Sequence, residues 1–387
     1  MATMEMNPIG YHIGKTESGQ TFLDSLQKHV KAGLTAFQLN MSAPSNWYPG
    51  VAFDEISCQK IRDYVKTQKL YSVVHGKYLY NFCRKEVSQQ LDRIEEELVL
   101  SESIGCDLVI HQGKNVAEEH LTRLEALENY AKHVNEALER TFNHTHGIIL
   151  ENSCHAGEEL GYGLDDLTYI WNQIDDSVRD RVGFCLDTCH VFTSGELDMR
   201  KAEAVEAYFK EFDDRIGLQH LRVIHWNDCK VAMGKHVDRH DDLACGYITN
   251  PLLGGDIAGM RRMAELAKKY RIPIVFETPC EDAYAVKHHM QWQVRILRDW
   301  AEKQNQVYES FLAEYPNLQK TAYDIQEGKS KKKTKVGAPT TTGCGCEHQT
   351  ATESLLMTKE SLPKIEGQIV AKIPLKLKIP LKLKTIA

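Results

Sequence analysis

Long apolar runs are missing from this 387-residue chain. No stretch approaches the roughly 20 residues that a membrane-spanning helix needs, and the opening MATMEMNPIG lacks the layout of a secretory leader. The sequence predicts a soluble, intracellular protein with no membrane partner; it does not distinguish cytoplasm from nucleus. A glycine-rich phosphate turn is also lacking, since GYHIGKTESGQ is a poor match to one. Nor is there a disulfide framework. The eleven cysteines are scattered, and several (Cys83, Cys106, Cys185) sit inside apolar runs, where a reducing compartment makes them buried thiols. Positive charge is scarce over most of the chain. The formal net charge is −7, yet from Gly328 onward twelve lysines face four glutamates, a net of +8, which leaves −15 for residues 1–327. A nucleic-acid-binding domain usually has the opposite balance. Either residues 1–327 do not bind nucleic acid, or bound cations change their effective charge.

What is present is an alternation of short apolar runs with longer amphipathic segments. Strand candidates are Pro8–Ile13, Ala36–Leu39, Tyr71–His75, Asp107–His111, Gly147–Glu151, Val182–Asp187, Leu221–His225 and Pro273–Glu277. Helical patterns cover Thr21–Ala32, Asp54–Thr67, Glu86–Ser103, Val116–Thr141, Glu203–Phe212, Met260–Tyr270 and Val286–Lys303. Eight strands with intervening helices predict an α/β fold, a (β/α)8 TIM barrel, over an open doubly wound sheet. The barrel domain is expected over 1–305, a C-terminal extension over 306–327, and a flexible, basic, low-complexity tail over 328–387.

The strand tips carry the chemistry. Strands three to eight end in His75, His111, Glu151, Asp187, His225 and Glu277. In a barrel these C-terminal tips meet at one mouth, where active sites lie. A single such residue is more often structural, but parallel strands buried on both faces have no packing reason to end in six ionisable groups. His190 follows strand six, and Asp238 and His240 in VDRHDD follow strand seven, with Asp-x-His placing both side chains on one side of an extended segment. Five imidazoles and four carboxylates, with no thiolate, suit catalytic Zn2+, with Mn2+ or Fe2+ as alternatives. Nine ligands are too many for one ion; with a bridging carboxylate they suit three. Such a centre points to phosphoester hydrolysis, because paired metals generate hydroxide and clamp a phosphate, while a third can hold the leaving oxygen.

IGYHIG, VIHQG, IILENS, LDTCHVFTSG, VIHWNDCK, DRHDD and VFETP, in this order, strongly resemble the endonuclease IV family of apurinic/apyrimidinic endonucleases. The resemblance implies a zinc-dependent barrel that cuts double-stranded DNA 5′ to an abasic site, in base excision repair, leaving a 3′-hydroxyl and a 5′-deoxyribose phosphate. It implies three zinc groups: His75, His111 and bridging Glu151; Glu151, Asp187, His225 and Glu277; and His190, Asp238 and His240. Glu151 and Glu277 are the candidate catalytic carboxylates. Tyr78 and Leu79, in HGKYLYN, match residues that enter the DNA minor groove.

The chain departs from the family pattern in three places. Ser45 stands where a basic residue precedes the Trp of the second loop, Asp241 replaces a second His, and His155-Ala156 replaces Gly-Gln. These touch DNA grip, not the ligand set. A single-metal sugar isomerase or epimerase would need Glu151, Asp187, His225 and Glu277 alone, leaving five candidate ligands without a role. A non-catalytic damage-binding protein would not need an intact ligand set. In the tail, CGCEH (Cys344–His348) is a weak metal-site candidate. The lysines of KSKKKTK suit phosphate contacts or a nuclear address. The alternating apolar residues of KIPLKLKIPLKLK suit an extended segment for a protein partner.

Overall fold

The computed structural model describes residues 6–14, 20–47, 53–280 and 282–328. Eight parallel strands close a barrel: β1 (Ile9–Ile13), β2 (Ala36–Leu39), β3 (Tyr71–His75), β4 (Asp107–His111), β5 (Ile148–Glu151), β6 (Val182–Asp187), β7 (Leu221–Trp226) and β10 (Ile274–Phe276). Two further strands, β8 (Asp228–Cys229) and β9 (His240–Asp241), form a small antiparallel pair in the loop after β7. The (β/α)8 architecture expected from the alternation is the one observed.

Period-two alternation divides each barrel strand between two interiors. Val73, Val109, Ile149, Cys185, Val223 and Val275 form a dry layer of their own, each 1% exposed or less. Their neighbours of opposite parity, such as Val74, Ile110, Leu150, Phe184, Ile224 and Phe276, join the larger core beneath the helices. This double burial explains why the strands read as continuous apolar runs.

The helices are α1 (Phe22–Lys31), α2 (Glu55–Gln68), α3 (Ser88–Ile104), α4 (Arg123–Arg140), α5 (Leu164–Asn172), α6 (Thr188–Thr193), α7 (Ala202–Arg215), α8 (Ala258–Tyr270), α9 (His289–Ala301), α10 (Gln306–Glu314) and α11 (Leu318–Gln326). The single helix expected over Val116–Thr141 is divided. A 3-10 turn at Ala117–Glu119 precedes α4, whose start is fixed by a capping box: Thr122 Oγ1 accepts from the Glu125 amide while the Glu125 carboxylate accepts from the Thr122 amide. The eighth barrel strand stops at Phe276, one residue before Glu277, because the Glu277 amide donates to Asn227 Oδ1 (3.1 Å). Beyond the barrel, Phe311 of α10 is fully buried against Trp292 and His289 of α9, and Tyr308 packs on Trp300. No helix among the described residues is long and apolar enough to cross a membrane. The CGCEH cluster, the lysine run and the amphipathic repeat lie outside the described residues.

Candidate metal centre

Two residues above the dry layer, the same inward parity brings His75, His111, Glu151, Asp187, His225 and Glu277 to the barrel mouth. Asp187 does two jobs. It ends β6 and is the N-cap of α6, its Oδ1 accepting from the His190 amide (2.9 Å). The cap fixes an i to i+3 spacing, which is why LDTCH delivers an aspartate and a histidine to the same place. Asp238 and His240 arrive from the loop after β7, with His240 Nε2 3.1 Å from Asp238 Oδ1.

Potential ligand atoms converge in three sets: His75, His111, Glu151; Glu151, Asp187, His225, Glu277; and His190, Asp238, His240. The first two share Glu151. Within each set the atoms lie within 4.8 Å of one another. All nine residues expected from the sequence are therefore brought together. Glu151, Asp187 and His225 are 0% exposed, His75 3% and His190 2%, while His111, Asp238, His240 and Glu277 are half-buried at the opening.

His225 Nδ1 and Glu151 Oε1 are in hydrogen-bond contact at 2.9 Å, but other spacings between these atoms fit shared cations. Two ligands held by one zinc at ~2.0–2.1 Å with tetrahedral angles stand about 3.3 Å apart. His75 Nε2 lies 3.3 Å from Glu151 Oε2, His190 Nε2 3.3 Å from Asp238 Oδ1, and His225 Nδ1 3.4 Å from Glu277 Oε2. Glu151 Oε2, His190 Nε2 and His240 Nε2 are buried without a hydrogen-bond partner, a costly state for polar atoms unless a cation completes them.

The outer ring nitrogens are engaged, and this aims the inner ones. His75 Nδ1 donates to Gly76 O and His190 Nδ1 to Asn152 O, each at 2.9 Å. His225 Nε2 donates to Gln38 Oε1 (2.8 Å), whose Nε2 in turn donates to Glu277 Oε1. A carbonyl can only accept, so in the neutral ring it is the inner nitrogen that carries the lone pair a cation would take. Gln38 on β2, with His12 on β1 at 3.0 Å, completes the ring of polar groups from the two strands whose tips bear no candidate ligand. Asn152 and Asn227 also support the centre: Asn152 Oδ1 accepts from the Asp187 amide (2.7 Å), and Asn227 Nδ2 donates to Asp187 Oδ2 (2.7 Å). Sequence reasoning missed these four supports.

The electrostatics demand positive charge. Burial would depress the His190 imidazole, but facing Asp187 and Asp238 hold it well above its ordinary value. His240, against the same burial, is raised to about 10 by Asp238 and Asp187. His111, where burial dominates, falls to about 4. The thiols of Cys185 and Cys189 also approach ligand groups. Burial pushes the Cys185 thiol up to about 12 and holds that of Cys189 well above the usual thiol range.

At the rim, Tyr78 stands edge-on to His75 and His111, with ring centroids 5.2 and 5.5 Å away, and its amide donates to Pro44 O (3.0 Å). Leu79 occupies the same turn, half-buried. Ser45 is exposed. His155 stacks on Tyr162 (3.7 Å) and meets His236 edge-on (4.7 Å). Asp241 faces away from the centre and is fully buried, accepting from Tyr284 and Gln326.

Residues 26–300 match the family described as xylose isomerase-like TIM barrel. A putative endonuclease 4 of Acanthamoeba polyphaga mimivirus is 31% identical over 280 residues, covering 70% of this chain and 86% of that protein. The chain belongs to the endonuclease IV family. A probable endonuclease 4 of Chlorobium phaeobacteroides is 34% identical over 236 residues, covering 60% of this chain and 76% of that protein. The apurinic-apyrimidinic endonuclease 1 of Saccharomyces cerevisiae is 28% identical over 308 residues, 76% and 77% of the two chains. Among solved structures, endonuclease IV of Thermus thermophilus superposes with a TM-score of 0.61 at 22% identity, covering 76% of this chain and 99% of that one. This endonuclease IV family barrel is shared more widely: a D-tagatose 3-epimerase-like protein has a TM-score of 0.56 at 17% identity, covering 77% and 98%.

Proposed function

We propose that this protein is a zinc-dependent apurinic/apyrimidinic endonuclease that hydrolyses the phosphodiester 5′ to an abasic site in duplex DNA. The products are a 3′-hydroxyl and a 5′-deoxyribose phosphate. The observation that carries the reading is the sharing of Glu151 between two sets of ligand atoms: Oε1 faces His225 Nδ1 (2.9 Å), and Oε2 faces His75 Nε2 (3.3 Å). The third set, His190, Asp238 and His240, adjoins them through Asp187, whose Oδ2 lies 3.5 Å from His240 Nε2. Divalent ions bound in these sets lower the pKa of water towards 7 and offset the charge of a phosphodiester.

The chain's own residues set the geometry. Glu151 and Glu277 present carboxylates from β5 and from the residue after β10, and Gln38 ties Glu277 to His225 across the barrel. The four carboxylates of the set repel DNA when bare; three dications would outweigh them, which reconciles an acidic barrel with a polyanionic substrate. We assign to Tyr78 and Leu79, beside the centre, the filling of the gap left in a base stack when an abasic nucleotide turns out. The barrel domain 1–305, the extension 306–327 and the tail 328–387 are our division of the chain.

A single-metal sugar isomerase on the same barrel is the weaker reading. It employs Glu151, Asp187, His225 and Glu277 and leaves His75, His111, His190, Asp238 and His240 converged without a purpose. The test is a duplex carrying one tetrahydrofuran abasic analogue. Incision on the 5′ side of the analogue, lost in Glu151→Gln protein of native fold, is expected; an intact duplex under zinc-replete conditions overturns the reading.

A further inference from the structure

His240 lies on a short antiparallel strand pair, in which Asp228 faces Asp241 and Cys229 faces His240, and Asp238 lies two residues before it. Alternation along β9 points the His240 side chain into the metal centre and that of its neighbour Asp241 the opposite way. There the Asp241 carboxylate is 0% exposed. Its Oδ1 accepts from Tyr284 Oη (2.8 Å) and from the Asp242 amide (2.9 Å), and its Oδ2 accepts from Gln326 Nε2 (2.5 Å). Gln326 Nε2 also donates to Cys245 O (3.1 Å), so one amide spans the turn from 241 to 245. Gln326 belongs to α11, which is seated by buried Leu318 and Ala322 and by Asn250 Nδ2 donating to Gln319 O (2.9 Å).

We propose that Gln326 is a positioning residue for the third ligand set, and that the C-terminal extension is thereby part of the framework of the metal centre. The proposal rests on the three-metal reading above. A buried carboxyl group, charged or neutral, depends on each of its hydrogen-bond partners. Without the Gln326 amide, Asp241 Oδ2 loses the donor that holds it and must tip towards water. Because His240 is its immediate neighbour on a two-residue strand, that movement reaches the ring that faces Asp238. Asp241, Tyr284 and Gln326 form one clasp, drawn from the loop after β7, the loop after β10 and α11.

The test is release of zinc from the full-length, zinc-loaded protein to a colorimetric chelator, followed ion by ion. Gln326→Leu keeps the bulk and removes the donor; it should release one of three ions about tenfold faster, the lower end of the loss in metal affinity when a ligand's own outer partner is removed, with the other two unchanged. Gln326→Lys, which keeps a donor, should restore slow release. In zinc-stripped protein, amide exchange over 238–242 should be faster in Gln326→Leu than in the parent. If Gln326→Leu does not fold, a chain ended after Ile325 is compared with one ended after Gly328, and only the first should lose the slow third ion. Three ions released from Gln326→Leu as from the parent overturn the proposal. A parent protein that holds no third ion overturns the three-metal reading itself, and this proposal with it.

Discussion

His111 on β4 and Glu151 on β5 are register partners on adjacent strands, and His111 Nε2 stands 3.8 Å from Glu151 Oε2 with no hydrogen bond between them. Glu151 reaches His225 with its other oxygen. Strand register therefore dictates which side chains can share an ion, and the carboxylate common to two sets sits at the middle of the series.

Gln38 is the support whose loss should be felt most directly. It accepts from His225 Nε2 and donates to Glu277. Gln38→Leu preserves volume in a fully buried position but frees the His225 ring to adopt the other tautomer. Zinc affinity of the second set should fall about 10–100-fold, with zinc release from His75 and His111 less affected. Competition with a chelator of known affinity checks this, and an unchanged binding curve contradicts it.

Zinc-stripped and zinc-loaded protein should differ in how stability depends on pH. His240 is raised to about 10 in the folded chain by Asp238 and Asp187 acting against burial, from an unfolded value near ~6.5. Between these values the folded state binds more protons, so the stabilisation is full below about pH 6.5 and is lost as pH rises through about 10. Denaturant titrations of stripped protein should show stability falling from about pH 7 to 10. In loaded protein the ions replace those protons, and the slope over that window should be shallower.

Tyr78→Ala should weaken discrimination for abasic over intact duplex more than it slows incision. Its ring packs edge-on against two candidate ligands but lies in a turn at the rim. Filling a vacated stack offsets a few kcal/mol of unstacking. Equilibrium binding to both duplexes reads the effect; an unaltered affinity ratio contradicts insertion.

Deleting residues 328–387, which carry +8 against −15 in the rest, should lower duplex affinity at low salt and flatten its salt dependence, while turnover at saturating DNA stays nearly constant. A basic arm binds through counterion release, which is steeply salt-dependent and indifferent to sequence. An unchanged salt slope would move attention to Lys372–Lys384 as a contact for a protein partner.

The barrel and the convergence of the strand-tip candidates were legible because both follow from period-two alternation, whereas His190 owes its place to the Asp187 cap. A residue two steps beyond Val73, Val109, Ile149, Cys185, Val223 or Val275 must face the mouth, and in each case it is His, Asp or Glu. Gln38 and His12 escaped notice because their strands end in Leu39 and Ile13, apolar residues that hide the polar neighbour of inward parity. Helix α5 escaped because LDDLTYIWN is short and mixes β-branched and aromatic residues with a helical pattern. The clasp at Asp241 is a contact between residues 85 apart in sequence, and no local pattern encodes that pairing. Asp241 registers in the sequence as a departure, and only its partners on α11 and in the loop after β10 give it a structural reason.

On the proposed reading, three ligand sets, two of them joined by Glu151, hold three ions that act on DNA. Metal analysis of purified protein, paired with incision of the tetrahydrofuran duplex before chelation, after chelation and after zinc is restored, tests it most directly. Close to three zinc equivalents per chain, with incision lost on chelation and recovered with zinc, is the predicted result. About one equivalent per chain in fully active protein, or incision that survives complete removal of metal, would contradict it.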